Sequence, residues 1–519
     1  MELLNSTQNT TEAASRPPIV EYFGMDGLFG YRSVSLSSNF AATILIARNG
    51  SGKTTLIAAL DAFLRGQFTR FAGLQFDKVV CQLRGHSEPL TLSREDVDQL
   101  IGLTSDSEIL GRAKAWEVEP LALLELLESG IDGKNYPDLM DNPTFHLIYT
   151  KNGYDFQVAI SQCRRLELTL RGKNPNIDSL RGTLKAILGD TEIVYLPTYR
   201  RIELSLPEVD SRRNDRRKSI LARLGVARIG LYTADIQFGL GDISARLRAI
   251  YSEMLYRSNQ GYGKISANVI NDLISGNYKN DSVSRRDPPS KESLEIFFSR
   301  IKDAEREYRR NSYSNFFTAP NLDRVYSGDV PTDARPFLSY FLEQLNSVMQ
   351  ETRETEELVE AFINNCNRYL SGDDFSTDQY STGIDDAFDK KKLTFNRRSF
   401  EVKVTSSATG DEVSLEALSS GEKQMISLFA RLYLYPGPKM VLIDEPELSL
   451  SLDWQRQILP DVLKAPTCQQ VIAITHSPFI FDNELEPFAG SLRFKASPNR
   501  TPPLFPTTPF EGEGGERDL

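Results

Sequence analysis

Histidine and cysteine are scarce in this chain, at 3 and 4 among 519 residues. His86, His146 and His476 are too few and too far apart for a histidine-rich metal centre. Cys81, Cys163, Cys366 and Cys468 form no CxxC pair, which argues against a zinc or iron–sulfur site and suits a reducing compartment. Long apolar runs are missing as well. Ala41–Ala47 and Gln470–Ile474 have the length of buried strands and fall far short of a bilayer span. The polar N-terminus lacks the basic-then-apolar pattern of a signal peptide, so the expected location is cytoplasmic, with no membrane partner. Positive charge is in deficit too: the formal net charge is −11, so bulk electrostatics do not favour nucleic acid. Such contact would need a local patch. The candidate is the run Arg200–Arg228, which includes Arg201, Arg212, Arg213, Arg216, Arg217, Lys218 and Arg223; a solvated polar loop leading into a helix explains it equally well.

What is present reads as an ordinary globular protein, 40% hydrophobic and 25% charged, long enough for two or three domains or one large domain with an insertion. Residues 1–17 and 498–519 read as a disordered leader and tail, the latter rich in Pro, Gly and Glu. Between Ile19 and Leu36 the pattern gives two strands joined near Gly27–Gly30, followed by an apolar strand, Ala42–Ile46. Then comes Ala47-Arg48-Asn49-Gly50-Ser51-Gly52-Lys53-Thr54-Thr55, and a helix with Leu56, Ile57, Leu60, Phe63 and Leu64 at helical spacing. Strand, glycine-rich turn and helix are the context a phosphate-binding loop requires, although Ala47 replaces its usual first glycine. Lys78–Arg84 and Ile193–Leu196 read as strands and Val118–Leu127 as a helix. Phe145–Tyr149 and Phe156–Ile160 flank Asn152-Gly153, a hairpin signal. From about residue 201 to 375 the texture turns helical (Leu240–Tyr256, Ala267–Ile274, and stripes at Leu294–Tyr308 and Leu338–Cys366). The last stripe is interrupted at Gln350–Glu357 and no heptad is sustained, so a compact helical insertion is expected. Strands return at Lys391–Asn396 and Phe400–Thr405.

Three elements after the insertion carry chemistry. Leu418-Ser419-Ser420-Gly421-Glu422-Lys423-Gln424 opens a helix with Met425, Ile426, Leu428, Phe429, Leu432 and Tyr433 on its buried side. Its serine-capped N-terminus is an anion site, or a plain cap. Asp444 and Glu445 end an apolar strand, and buried carboxylates there need a cation to face. His476 ends the next apolar strand, Val471–Thr475. In the loop, backbone N–H groups from Asn49, Gly50, Ser51, Gly52, Lys53, Thr54 and Thr55 would wrap phosphates, Lys53 would reach the β- and γ-phosphates, and the Thr54 hydroxyl would ligate Mg²⁺. Asp444 would hold the metal through its water shell, Glu445 would polarise the attacking water, and His476 would hydrogen-bond the γ-phosphate.

These elements, in this order, resemble the ABC-type ATPase head of SMC-like, RecF-like and OLD-like proteins over residues 18–200 and 376–497. The resemblance implies an α/β head built from two lobes, 18–200 with the P-loop and 376–497 with signature and acidic pair, split by the insertion 201–375. It implies ATP and Mg²⁺, and a homodimer or higher even-numbered oligomer in which Ser419, Ser420 and Gly421 meet the neighbouring subunit's nucleotide. The stretch Glu447–Gln455 resembles the OLD-like D-loop, with Ser451 where a histidine is usual. No Q-loop glutamine is visible beside Val194–Arg201. No coiled coil of SMC length is present, and the 43 residues after His476 are low in complexity, so no nuclease domain is expected in this chain. Gly27-Leu28-Phe29-Gly30-Tyr31, the Ala47 loop, Leu196–Arg201 and the LSSGEKQ run together resemble PtuA-type ATPases of the bacterial Septu anti-phage system, also found beside retrons. That implies a slow regulatory ATPase working with a separate HNH nuclease and, in retron-linked forms, a reverse transcriptase and its RNA/DNA product. The alternative is a RecF/SMC-like DNA-binding repair ATPase. A transporter subunit is disfavoured, because P-loop and signature lie more than 360 residues apart with no membrane-coupling sequence.

Overall fold

The computed structural model describes residues 2–48, 50–130, 139–140, 142–197, 240–276, 289–308, 320–327, 329–371, 390–398, 400–414 and 417–496. Asn49, the basic run Arg200–Arg228 and the tail 498–519 lie outside them. Helix α1 (Glu2–Ser15) replaces the disordered leader expected from the sequence. Thr10 and Ala14, one helical turn apart, are fully buried, and the Arg16 guanidinium donates to the Cys468 carbonyl at 3.1 Å. Packing against the body of the protein supplies what the propensity of this polar segment lacks.

One sheet is antiparallel, in the order β13 (Arg493–Ala496), β2 (Arg32–Ser37), β1 (Val20–Leu28), β4 (Lys78–Leu83), β5 (Leu90–Ser93). The other is parallel: β12 (Ala489–Ser491), β3 (Ala42–Ile46), β11 (Cys468–Thr475), β10 (Lys439–Asp444), β6 (Glu192–Leu196). All six residues of β10 are buried, as a strand covered on both faces requires. Helix α2 (Lys53–Leu64) is buried at every position but Thr54, and it packs on β1 of one sheet and on β6 and β10 of the other. A helix apolar all round belongs in such a sandwich. Its one buried acid, Asp61, is paired with Arg65 at 2.6 Å and Arg70 at 2.7 Å. Gln470 joins the sheets: its amide oxygen accepts from Ile19 N and Val20 N at 2.8 and 2.9 Å, and its amide nitrogen donates to the Val20 carbonyl at 3.1 Å. Both sheets therefore mix strands from the two ends of the chain.

Helices α3 (Arg94–Gly102), α4 (Ser107–Trp116), α5 (Pro120–Glu128), α6 (Pro143–Lys151), α7 (Phe156–Leu170) and α8 (Pro175–Leu188) share a core with the antiparallel sheet, α3 and α8 packing on β5. The hairpin expected at Asn152-Gly153 is instead the turn between α6 and α7. Phe145, Ile148, Ala159, Ile160 and Cys163 enter the core at helical spacing, and Asn142 and Asp155 cap the two N-termini. Asn152 is the C-cap of α6, and Gly153, at φ 70°, is the left-handed residue that commonly follows one.

The insertion is an extended arm where a compact unit is expected. Helix α9 (Leu240–Ser275) runs antiparallel to α12 (Arg335–Ser371), with α10 (Lys291–Tyr308) and the short α11 (Leu322–Tyr326) beside them. Ile243, Leu247 and Met254 share a core with Val359, Phe362 and Cys366, whereas Ile265 and Val269 meet Leu342, Leu345 and Val348. At 1.5 Å per residue each long helix spans roughly 54 Å. Gln350–Glu357 does not break α12, because that polar stretch meets α10: Thr352 is buried and Glu356 receives Arg300 at 2.6 Å. At the arm's base the Asn367 amide pairs with both Leu393 N and Leu393 O, closing the edge of a small sheet, β7 (Lys391–Asn396), β8 (Glu401–Ser406), β9 (Glu412–Val413). Helices α13 (Ser420–Leu434) and α14 (Leu452–Lys464) complete the head. Among the described residues no helix is long and apolar enough to cross a membrane. All four thiols are buried, and burial raises their pKa, so they have no thiolate to offer.

Candidate nucleotide-binding site

The register of the parallel sheet decides what meets what. Ile46 pairs with Thr475, and Asp444 with Ile474, so β3, β10 and β11 end level. The glycine-rich loop, Glu445 and His476 leave the sheet from its carboxyl end, where ligands of such sheets bind. Gly50 (φ 75°) and Gly52 (φ 87°) take left-handed backbone there, and Gly52 is the N-cap of α2. A side chain at Gly50 would meet nothing within 4 Å, whereas one at Gly52 would lie in ordinary van der Waals contact with Leu28 and Arg32.

Lys53 Nζ lies 2.6 Å from Glu445 Oε1, and His476 Nε2 lies 3.5 Å from that same oxygen. Three residues singled out independently from the sequence thus converge on one atom. Glu445 sits at φ 53°, unusual for a side chain of its size, and its N–H donates to the Ile474 carbonyl at 2.8 Å. Such backbone costs about 1–3 kcal/mol and recurs at functional sites. Asp444 is fully buried at the strand end, Thr55 is buried and Thr54 is half-buried.

The loop fits a phosphate chain on two observations. The Glu445 carboxylate occupies Lys53 as an anion would, and the buried Ser51 hydroxyl has no hydrogen-bond partner among the described residues. Among the described residues no cluster of three His, Cys, Asp or Glu side chains could cage a metal. Mg²⁺ at Thr54 and Asp444 would therefore depend on phosphate oxygens and water, as this ion usually does.

Ser419 and Ser420 are exposed at the N-terminus of α13. Ser419 is a reciprocal cap. Its hydroxyl accepts from Glu422 N at 3.3 Å, the Glu422 carboxylate accepts from Ser419 N at 2.6 Å, and Lys391 approaches Glu422 at 3.1 Å. Gly421 is buried against the next loop: a Cβ there would overlap the Ser449 carbonyl oxygen and touch Trp454. Ser451, at the position where the D-loop resemblance leads one to look for histidine, caps α14, its hydroxyl accepting from Trp454 N at 3.4 Å.

Two residues escaped the sequence reading. Arg32 donates to the Gly50 carbonyl at 2.9 Å and stacks on Phe29 and Tyr31 at 4.9 and 5.4 Å, bracing the phosphate loop from β2. Its signal was the aromatic pair around the turn before it. Glu447 binds the residues around His476, and its signal was a second acid two places after Glu445. Burial raises the pKa of the Glu447 carboxyl above the ordinary range.

Fold and site together give an α/β head of P-loop type, with a glycine-rich loop and an acid-ended strand at the carboxyl end of a parallel sheet, carrying a large helical insertion. A family model described as "AAA domain, putative AbiEii toxin, Type IV TA system" matches residues 258–482, from within the arm to just past His476. A solved structure described as the SmcHead bound to the C-winged helix domain of ScpA is similar at 11% identity, covering 92% of this chain and 98% of that one, with a TM-score of 0.33. No curated protein matches the sequence.

Proposed function

We propose that this chain binds and slowly hydrolyses ATP, and that ATP closes two copies head to tail. The observation that carries the reading is the convergence of Lys53 and His476 on Glu445 Oε1 at the carboxyl end of the parallel sheet. Lys53 is held by the carboxylate. ATP as substrate draws Lys53 onto its phosphates, and Glu445 is released to take a proton from water. The N–H groups of the Gly50–Thr55 turn hold phosphate oxygens, and His476 hydrogen-bonds the terminal phosphate. Mg²⁺, when bound by Thr54 and Asp444, supplies charge neutralisation on the phosphates. The exposed Ser419 and Ser420 tip supplies the second copy's contact.

The biological role follows from the sequence resemblance to PtuA-type ATPases: a regulatory subunit of a bacterial anti-phage complex that controls a separate HNH nuclease. The matched family's description, a putative toxin of a type IV toxin–antitoxin system, accords with an activity that must be held in check. The test has two arms. ATP binding by the purified chain should vanish in Lys53→Ala, and retained tight binding overturns the site assignment. Purification with the products of neighbouring reading frames should recover an HNH protein. Salt-sensitive DNA binding by the isolated chain, lost when Arg212, Arg213, Arg216 and Arg217 become alanine, overturns the regulatory reading in favour of repair.

A further inference from the structure

Glu447 lies on the loop between β10 and α14, two residues beyond Glu445. Its carboxylate collects donors from three consecutive residues of the neighbouring strand end. Oε2 accepts from the Thr475 hydroxyl at 2.8 Å, and Oε1 accepts from His476 N at 2.7 Å and Ser477 N at 3.2 Å. A second tie runs from α14, where Gln455 Oε1 accepts from the Ser477 hydroxyl at 2.7 Å while its amide donates to the Leu450 carbonyl at 3.1 Å. The His476 side chain itself is a third exposed, and its imidazole meets Glu445. The histidine is therefore fixed at both ends by one acidic loop, its backbone by Glu447 and its ring by Glu445.

The chemistry explains why an acid is used. Thr475, His476 and Ser477 turn their donors to one side as the strand ends, and two carboxylate oxygens can satisfy all three. A carboxylate there is half-buried and bears the desolvation that such burial imposes, which three hydrogen bonds to a charged acceptor offset.

We propose that Glu447 is a positioning residue for ATP hydrolysis: it holds Thr475–Ser477 so that the His476 imidazole stays in register with Glu445. This rests on the ATPase reading above. In the purified full chain, Glu447→Ala and the shortened Glu447→Asp should lower kcat about ten- to a hundredfold, the scale of a small misplacement. ATP Kd should stay within about twofold, since the P-loop is untouched. Glu447→Gln should keep most of the activity, because its amide oxygen still accepts the two N–H groups and its NH₂ can donate to the Thr475 hydroxyl. On a His476→Ala background, Glu447→Ala should cost nothing further.

Losses that multiply in the double variant, a Glu447→Gln variant as poor as Ala, or a lowered Tm with unchanged kcat would each overturn the proposal. His476→Ala with full activity, while Lys53→Ala has none, overturns it and leaves the ATPase reading standing. Hydrolysis retained in Lys53→Ala overturns the assignment of the ATP site on which this proposal rests.

Discussion

The Tyr369 hydroxyl donates to Asp461 Oδ2 at 2.7 Å, joining the base of the arm to the helix behind the acidic loop. Arg368 reaches the other oxygen of that carboxylate at 3.0 Å, and the Tyr369 ring packs on Phe429 of α13 and Trp454 of α14, with centroids 5.5 and 5.4 Å apart. Trp454 in turn borders Gly421. One side chain thus contacts the arm, the serine-tipped helix and the D-loop helix. Asp461 is buried, so Asp461→Ala, which leaves the Arg368 charge without its carboxylate, should destabilise by about 3–5 kcal/mol. Tyr369→Phe removes one hydrogen bond and keeps the ring, and should cost ~0.5–1.5 kcal/mol. Denaturant midpoints check the order; equal losses would contradict it.

Glu445→Gln removes the anion that Lys53 clasps as well as the base for water. Hydrolysis should fall about 10²–10⁴-fold. ATP should bind more tightly, by about tenfold if ~1.4 kcal/mol of competing ion pair is lost. Calorimetric titration beside a phosphate-release assay measures both, and unchanged turnover removes Glu445 as the base.

Gly421→Ala places a methyl group against the Ser449 carbonyl oxygen, a backbone atom that cannot rotate away. Overpacking of this kind costs about 1–3 kcal/mol and should displace the 445–451 loop relative to α13. ATP binding to single subunits should persist, because Lys53 and the glycine-rich loop are unchanged. ATP-dependent association, followed by sedimentation velocity on a Glu445→Gln background, should be lost.

Glu125 gives a pH signature. Burial first, and the neighbouring Glu128 carboxylate second, raise its pKa from 4.5 to about 7. Between those values the folded chain binds a proton that the unfolded chain does not. This contribution therefore favours folding as pH falls through about 7 towards 4.5, and is lost above it. Glu125→Gln should raise Tm above about pH 7 and match the parent near pH 4.5; a constant offset at all pH values would exclude the titration.

Most of the elements that make up the proposed site were legible because their signals are local. Strand, glycine turn and helix locate Lys53 within about twenty residues, and an apolar strand ending in acids locates Glu445. Their meeting was not legible, because it depends on the register of β3, β10 and β11. The Asn152-Gly153 turn misled because the same dipeptide serves a hairpin and a helix terminus. The periodicity at Phe145, Ile148, Ala159 and Cys163 was the better guide. The α12 helix ran through Gln350–Glu357 for a reason absent from its own sequence: Arg300 on α10 was waiting for Glu356. Helix α1 was likewise decided by what it docks on.

The strand that leads into the phosphate loop is completed from far away. Ile44 of β3 pairs with Ala473 and with Ala489, more than 400 positions later. During synthesis at about 5–20 residues per second, β3 waits on the order of 20–90 s for these neighbours, its hydrogen-bonding edges open to chaperones or to other nascent chains. A polypeptide interrupted anywhere between α2 and β11 would carry every residue of the glycine-rich loop and still have no pocket. On the proposed reading, ATP would find its pocket only in a chain made through to β11 and β12.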